Sequence, residues 1–233
     1  MDSSRSFSRF AAVAAVVSLP FAAANLATSV AAVGFDFNAF DEPLILLRMG
    51  AERADLWRAA MVFDLLGYYL LIVPLVLVLW RQLGTRHPDW SRFVAFCLLA
   101  YCLIGAMGAA ILAAVVPPLM TAYSTAPEAQ RAVLEAVFSS HANAVYIGLW
   151  NLLEQLLAGI GWVGLAVLLR GRKAIALATL VLGAACLLDS LGLILGWTTI
   201  SEIGLFVYLP LAPTWACWLG IDLLRRPHAV GQG

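Results

Sequence analysis

Six apolar runs divide the chain, at about 10–33, 58–80, 93–118, 144–169, 174–197 and 203–223, and each is long enough to cross a bilayer. A helix needs about 20 such residues to span a hydrocarbon core about 30 Å thick. Only 12% of the 233 residues are charged, whereas soluble domains carry about 25%. With 63% hydrophobic residues and a mean hydropathy of +0.91, the chain cannot clothe a water-facing surface. The expected fold is all-α: one polytopic membrane helix bundle over 1–233, with six transmembrane helices. The lipid bilayer is its first partner. The net charge is zero, so no global field points to nucleic acid.

The charges between the runs orient the bundle. Arg5 and Arg9 precede the first run, and Arg81, Arg86 and Arg92 fill the second-to-third link. Arg170, Arg172 and Lys173 fill the fourth-to-fifth link, and Arg225 and Arg226 follow the sixth run. These ten cations face four on the other side, Arg48, Arg53, Arg58 and Arg131. Positive charge stays cytoplasmic, which predicts both termini inside. Thirteen of the 14 cationic residues are Arg, a usage expected of a GC-rich bacterial genome, so the expected location is a bacterial inner membrane. Trp57, Trp150 and Trp197 are expected at the outer interface, and Trp80 and Trp90 at the inner one.

Three segments need separate readings. "MDSSRSFSRF" followed by "AAVAAVVSLPFAAANLA" has the shape of a signal peptide, yet the apolar stretch continues to Val33, which favours a retained helix. "FDEPLILLRMGAERADLW" (40–57) mixes aliphatic and charged residues, as interfacial helices do. "TAPEAQRAVLEAVFSS" (125–140) opens on Thr125-x-x-Glu128, a capping box with Pro127 in the first turn. Val133, Leu134, Val137 and Phe138 then give one apolar face, which predicts a short amphipathic outer helix.

Three acids lie inside the runs: Asp64, Glu154 and Asp189. Asp64 is 17 residues from Arg81, Glu154 is 16 from Arg170, and Asp189 is 16 from Lys173. At about 1.5 Å per residue each stands about 24 Å above the inner face, in the outer third of the membrane. Asn25, 16 residues from Arg9, shares that level. Helical spacing puts each on a stripe of small residues: Ser18, Ala22, Asn25 and Ser29; Ala60, Asp64 and Gly67; Asn143, Asn151, Glu154, Ala158 and Gly161; Ala185, Asp189, Gly192 and Gly196. Such stripes mark close helix packing, so the acids should face the interior. A charged acid at mid-bilayer costs about 2.5–3.5 kcal/mol, and no Lys or Arg lies within these spans beyond Arg58 at the edge of the second run. Either the acids are neutral and bonded to Asn25, Asn151, Gln155 or Tyr68, or a cation reaches them from Arg58, Arg48, Arg53 or His141. The candidate site is therefore Asp64, Glu154, Asp189, Asn25, Asn151 and His141, for a proton, a cation or a small solute. Structural polar glue is the competing reading.

Little else signals chemistry. The sequence has no H-E-x-x-H, G-x-S-x-G, Walker or G-x-G-x-x-G pattern. His87 and His228 sit in or beside the inner links and His141 at the outer edge, too dispersed for haem ligation. No metal, cofactor or catalytic role is expected. Cys97, Cys102, Cys186 and Cys217 all fall in apolar runs and read as small hydrophobes. Pro74, Pro117-Pro118, Pro210 and Pro213 read as packing kinks, and Tyr68-Tyr69 and Trp215-x-x-Trp218 as packing or interface aromatics.

The last run, "VYLPLAPTWACWLGIDLLRR" (207–226), resembles the closing helix of a widespread bacterial family of six-helix integral membrane proteins catalogued as a domain of unknown function (DUF). Pro210, Pro213, Trp218-Leu219 and Arg225-Arg226 carry the likeness, with the six spans and short Arg-bearing links. Where members often have a glutamate, this chain has Thr214-Trp215. The resemblance implies an integral membrane protein and transfers no catalytic residue. Three readings stand at this point: a membrane protein of no assignable reaction, a small proton- or cation-coupled transporter using the buried acids, and a membrane subunit partnering itself or a larger complex.

Overall fold

A computed structural model of the chain describes residues 3–40 and 42–225. Arg226 and His228 lie outside the described residues. The elements are α1 (Ser3–Ala32), a 3-10 turn (Phe37–Phe40), α2 (Leu44–Arg48), α3 (Ala51–Asp64), a π segment (Leu65–Leu70), α4 (Val73–Leu83), α5 (Pro88–Thr125), α6 (Glu128–Asn143), a second π segment (Ala144–Glu154), α7 (Gln155–Leu168), α8 (Lys173–Leu195) and α9 (Thr198–Arg225). Six continuous helical runs among them are long and apolar enough to cross a membrane.

The six spans close into a ring in chain order. α1 packs on α3 and α4, these on α5, α5 on α7, α7 on α8, α8 on α9, and α9 back on α1. Close approach at bare backbone draws the ring tight. A Cβ on Gly220 would lie 2.7 Å from the Ala12 carbonyl, and one on Gly204 would lie 2.5 Å from that of Ala185. The hub is aromatic: Tyr68, Tyr69, Tyr101, Trp162, Tyr208 and Trp215 are all buried in one cluster. Large apolar side chains such as Phe96 (65% exposed) and Phe206 (75%) point outward, the arrangement suited to lipid.

One end of the ring is basic. Arg81 donates to Ser8 Oγ at 2.9 Å, tying the end of α4 to the start of α1. Arg172 pairs with Asp222 at 2.6 Å, tying the α7–α8 link to the end of α9. The opposite end has its own apolar cluster, in which Leu46, Leu47, Trp57, Met61, Met120 and Phe138 are buried. There Tyr123 donates to Glu135 at 2.8 Å and Arg48 at 3.3 Å. The Tyr123 hydroxyl, then the Arg48 guanidinium, hold the Glu135 carboxyl below the ordinary carboxylate value.

Several expectations change at this opposite end. The segment 125–140 is no separate surface helix, because α6 runs unbroken into the fourth span. Its capping box does not form: Thr125 ends α5 and Pro127 occupies the cap with no side-chain bond. Only Leu44–Arg48 of 40–57 stands apart as a short helix, and Ala51 already begins the second span. Pro117 and Pro118 lie inside α5, which continues to Thr125. Trp197, Trp80 and Trp90 are exposed as interface residues should be, but Trp57 is only 4% exposed and Trp150 donates to the Gly105 carbonyl at 3.1 Å. Trp150 turns inward because Gly105 and Gly108 on α5 leave room for its indole, and Trp57 packs into the apolar cluster at this end.

The π segments explain where the register slips. Pro74 lacks an N–H, so the turn before it cannot close with regular i→i−4 bonds. Leu71 instead donates to the Leu66 carbonyl at 3.3 Å, five residues back. The wider turn faces three consecutive residues, Gly67, Tyr68 and Tyr69, into the core. In the fourth span the π segment rotates Asn143 off its stripe and leaves it exposed, while Glu154 and Gln155 are both buried. Gly196 also leaves its stripe. With φ +72° it terminates α8, and Trp197 donates to the Gly192 carbonyl at 2.7 Å.

Candidate functional site

The three intramembrane acids are all buried, and they occupy three different environments. Glu154, 1% exposed, ends the second π segment. The Tyr69 hydroxyl donates to both of its oxygens at 3.2 Å, and the Tyr208 hydroxyl to Oε1 at 3.4 Å. Tyr208 and Tyr101 share a bond of 2.9 Å, and Tyr101 donates to the Tyr68 carbonyl at 2.9 Å. A tyrosine has one hydroxyl proton. With Tyr101 committed to Tyr68, Tyr208 must donate either to Tyr101 or to Glu154. In the first arrangement a neutral Glu154 can donate to Tyr208, and the bonds run in one direction from the acid to the Tyr68 carbonyl. The second suits a carboxylate. The cage therefore accommodates both protonation states by turning one hydroxyl.

Asp189 is fully buried and accepts from Ser201 Oγ at 2.5 Å. Its second oxygen has no partner among the described residues. Gly204 lets α9 lie against it, since a Cβ there would come 2.6 Å from the Asp189 amide nitrogen. This acid is enclosed by helix packing.

Asp64 lines a cavity of about 260 Å³ in the half of the ring away from the basic end. Its wall includes Asn25 and Ser29 of α1, Trp57, Met61 and Asp64 of α3, Tyr146, Trp150 and Asn151 of the second π segment, and Leu205 and Leu209 of α9. Trp57, Met61 and Asp64 follow i, i+4, i+7 and so share one face. Asn25 Nδ2 donates to the Ala60 carbonyl at 2.9 Å, which braces α1 against this helix. Two polar atoms of the wall are buried without a partner among the described residues, Asp64 Oδ2 and Trp57 Nε1. Buried polar atoms are nearly always satisfied, so an orphan acceptor and an orphan donor on one cavity call for an explanation.

The expected neutralisation from above does not occur. Arg48 pairs with Glu135, Arg58 with Asp55, Arg53 donates to the Ala31 carbonyl at 3.1 Å, and Arg131 to that of Ala126 at 3.2 Å. His141 is exposed and its Nδ1 bonds to the Val137 carbonyl at 2.8 Å. Each finds a nearer partner at the surface, where solvation costs less than entry into the ring. The structure thus brings Asn25, Asp64 and Asn151 to one cavity, sets Glu154 and Asp189 apart from it, and leaves His141 outside.

The bonding partners also differ from those expected. Glu154 is held by Tyr69 and Tyr208, neither of them an expected partner. Tyr68 donates instead to the Leu209 carbonyl at 3.0 Å, and Gln155 Oε1 has no partner among the described residues. The available signal was a hydroxyl in an apolar run: Tyr101 and Tyr208 sit mid-span and must bond something. Trp215 obeys the same logic, donating to Thr179 Oγ1 at 2.7 Å. Among the described residues, no three His, Cys, Asp or Glu side chains form a group that could hold a metal. Comparisons of the chain with protein-family models, with curated proteins and with solved structures return no match.

Proposed function

We propose that this chain is a multi-pass inner-membrane protein that binds a small solute or cation at Asp64, as a small coupled transporter does, and that it carries out no catalysis. The observation that carries the reading is the Asp64 cavity, whose buried acid meets no cation and which keeps two polar atoms unpartnered among the described residues. Intramembrane acids that face a cavity mark substrate or ion pathways in membrane proteins generally. The Glu154 cage, which tolerates two protonation states, supplies a natural coupling proton. The orientation we propose keeps both termini in the cytoplasm, which opens the cavity's half of the ring to the outside. The resemblance of 207–226 to the DUF family fits this proposal and adds no reaction to it.

The test is flux and binding in reconstituted vesicles, comparing the parent with Asp64→Asn, Glu154→Gln and Asp189→Asn. Asp64→Asn should abolish solute-dependent signals, Glu154→Gln should uncouple them from pH, and Asp189→Asn should leave both in place. Three variants indistinguishable from the parent would return the acids to a purely structural role.

A further inference from the structure

Resting on that reading, we infer that the solute class taken by the Asp64 cavity is a small organic ammonium ion that also carries an oxygen acceptor, of amino-alcohol size. Four features of the wall select it. First, Asp64 is the only charged residue lining the cavity among the described residues, and Arg48, Arg53, Arg58 and Arg131 are engaged elsewhere. A buried carboxylate with no protein counter-charge attracts a cation and repels an anion.

Second, the wall is wrong for a metal ion. It offers one carboxylate, two carboxamides and the hydroxyls of Ser29 and Tyr146, with no His or Cys among the described residues, amid apolar side chains. Ca²⁺ takes about six to eight oxygens, and Mg²⁺ surrenders its waters reluctantly. An ammonium needs fewer partners, and its carbon body gains from the apolar remainder of the wall.

Third, aromatic faces surround the acid. Trp57, Tyr146 and Trp150 all contribute to the wall, and the Tyr146 and Trp150 rings are set edge to face with centroids 5.5 Å apart. The Trp150 N–H is spent on the Gly105 carbonyl, so that residue can offer only its π surface. A cation over such faces gains attraction beyond its ion pair.

Fourth, Trp57 Nε1 is a donor with nothing to donate to among the described residues. An indole N–H cannot accept, so ammonium alone leaves it orphaned. This atom and Asp64 Oδ2 are both closed off from the cavity, so a solute reaches them only as the two side chains turn towards it; a hydroxyl or carbonyl oxygen then satisfies Trp57 Nε1 while the ammonium satisfies Asp64 Oδ2. Trp57 and Asp64 lie two turns apart on one face, about 10 Å along the axis, and their side chains converge on one cavity. The volume of about 260 Å³ sets the size, equal to about nine water volumes at about 30 Å³ each. That admits a solute of a few carbons and is too small for a whole lipid.

The test measures binding to the full chain in lipid nanodiscs by calorimetry and by quenching of tryptophan fluorescence. The probes are 3-aminopropan-1-ol, propylammonium, 1,3-propanediol, propionate and sodium. The amino alcohol should bind saturably, at least tenfold tighter than the diol, and propionate and sodium should not compete. Trp57→Phe should weaken the amino alcohol about fivefold and leave propylammonium unchanged. Asp64→Asn should weaken both amines at least tenfold. The selectivity series on the parent chain needs no variant, so a variant that fails to fold does not spare the inference. Diol or propionate binding as tightly as the amines would overturn the ammonium assignment while leaving the solute-site reading intact. No binding by any probe, with flux independent of Asp64, would overturn both.

Discussion

Replacing Gly105 by Ala should break the Glu154 cage from a distance. A Cβ at 105 would overlap Cε1 and Cζ of the Tyr69 ring and lie 2.6 Å from its Cδ1. Carbon atoms rest at about 3.5–4.0 Å, so the ring must retreat by at least about 1 Å. Tyr69 cannot simply turn, because its ring is set against that of Tyr101 with centroids 5.6 Å apart. A retreat of that size carries its hydroxyl, 3.2 Å from both Glu154 oxygens, beyond hydrogen-bonding range. Overpacking costs about 1–3 kcal/mol, and a buried acceptor left short of its donor about 1–3 kcal/mol more. The helix-propensity gain of Ala over Gly returns at most about 1 kcal/mol. The net expectation is a loss of about 1–6 kcal/mol, read as earlier unfolding on titration with a denaturing detergent. Gly148 is the control, since a Cβ there meets nothing within 4 Å. Gly148→Ala should be neutral or slightly stabilising. Tyr69→Ala should make room and cancel much of the Gly105→Ala cost in the double variant. Equal behaviour of Gly105→Ala and Gly148→Ala, or strict additivity with Tyr69→Ala, would refute the ring-displacement reasoning.

Two further outcomes follow from the ends of the ring. Glu135, held below the ordinary value of 4.5 by Tyr123 and then Arg48, has a lowered carboxyl, so its stabilisation is present above the unfolded value and fades as pH falls through the folded one. Unfolding followed from pH 6 to pH 3 should show a loss that Glu135→Gln removes, and a parallel slope in that variant would refute the linkage. At the basic end, Arg172→Ala leaves the mostly buried Asp222 without its partner at 2.6 Å. Between the limits for exposed and buried pairs, the expected cost is about 1–3 kcal/mol, and a double-mutant cycle with Asp222→Asn should return a coupling above about 0.5 kcal/mol.

The spans were legible because bilayer thickness imposes a length and lipid imposes a composition, and both are written in consecutive residues. The inward direction of the acids was legible too, because small residues recur at helical spacing around Ala60, Asp64 and Gly67 and around Ala185 and Asp189. Register inside the spans was hidden. Nothing local marks 144–154 as a π segment, so the stripe drawn through Asn143 fails where the backbone adds its extra residue per turn. The Pro74 kink was visible as a proline, yet its consequence, two adjacent tyrosines facing one core, depends on how the bulge is absorbed upstream. The outer arginines were misplaced for an energetic reason. Each had a surface acid or carbonyl within reach, and helix contacts between distant segments, such as Arg48 on α2 with Glu135 on α6, cannot be read from spacing.

Equal distance from the inner anchors is a weaker criterion than unspent bonding capacity beside open volume, since Asp189 also keeps an unpartnered oxygen but has no space around it. Asp64, Glu154 and Asp189 sit at similar distances from their inner anchors, yet only one retains room for a ligand. Glu154 is occupied by two hydroxyls, and any solute oxygen or nitrogen would have to displace Tyr69 or Tyr208 to reach it. Asp189 is occupied by Ser201 and closed over by α9 at Gly204, where not even a methyl group fits. Asp64 alone faces open volume beside an unused donor. A polar layer built only as helix glue should spend its hydrogen bonds on helices, as Asn25 does on Ala60 and Tyr68 on Leu209. A carboxyl that spends none on its neighbours, inside a ring that otherwise satisfies its tyrosines with care, has its partner still to come.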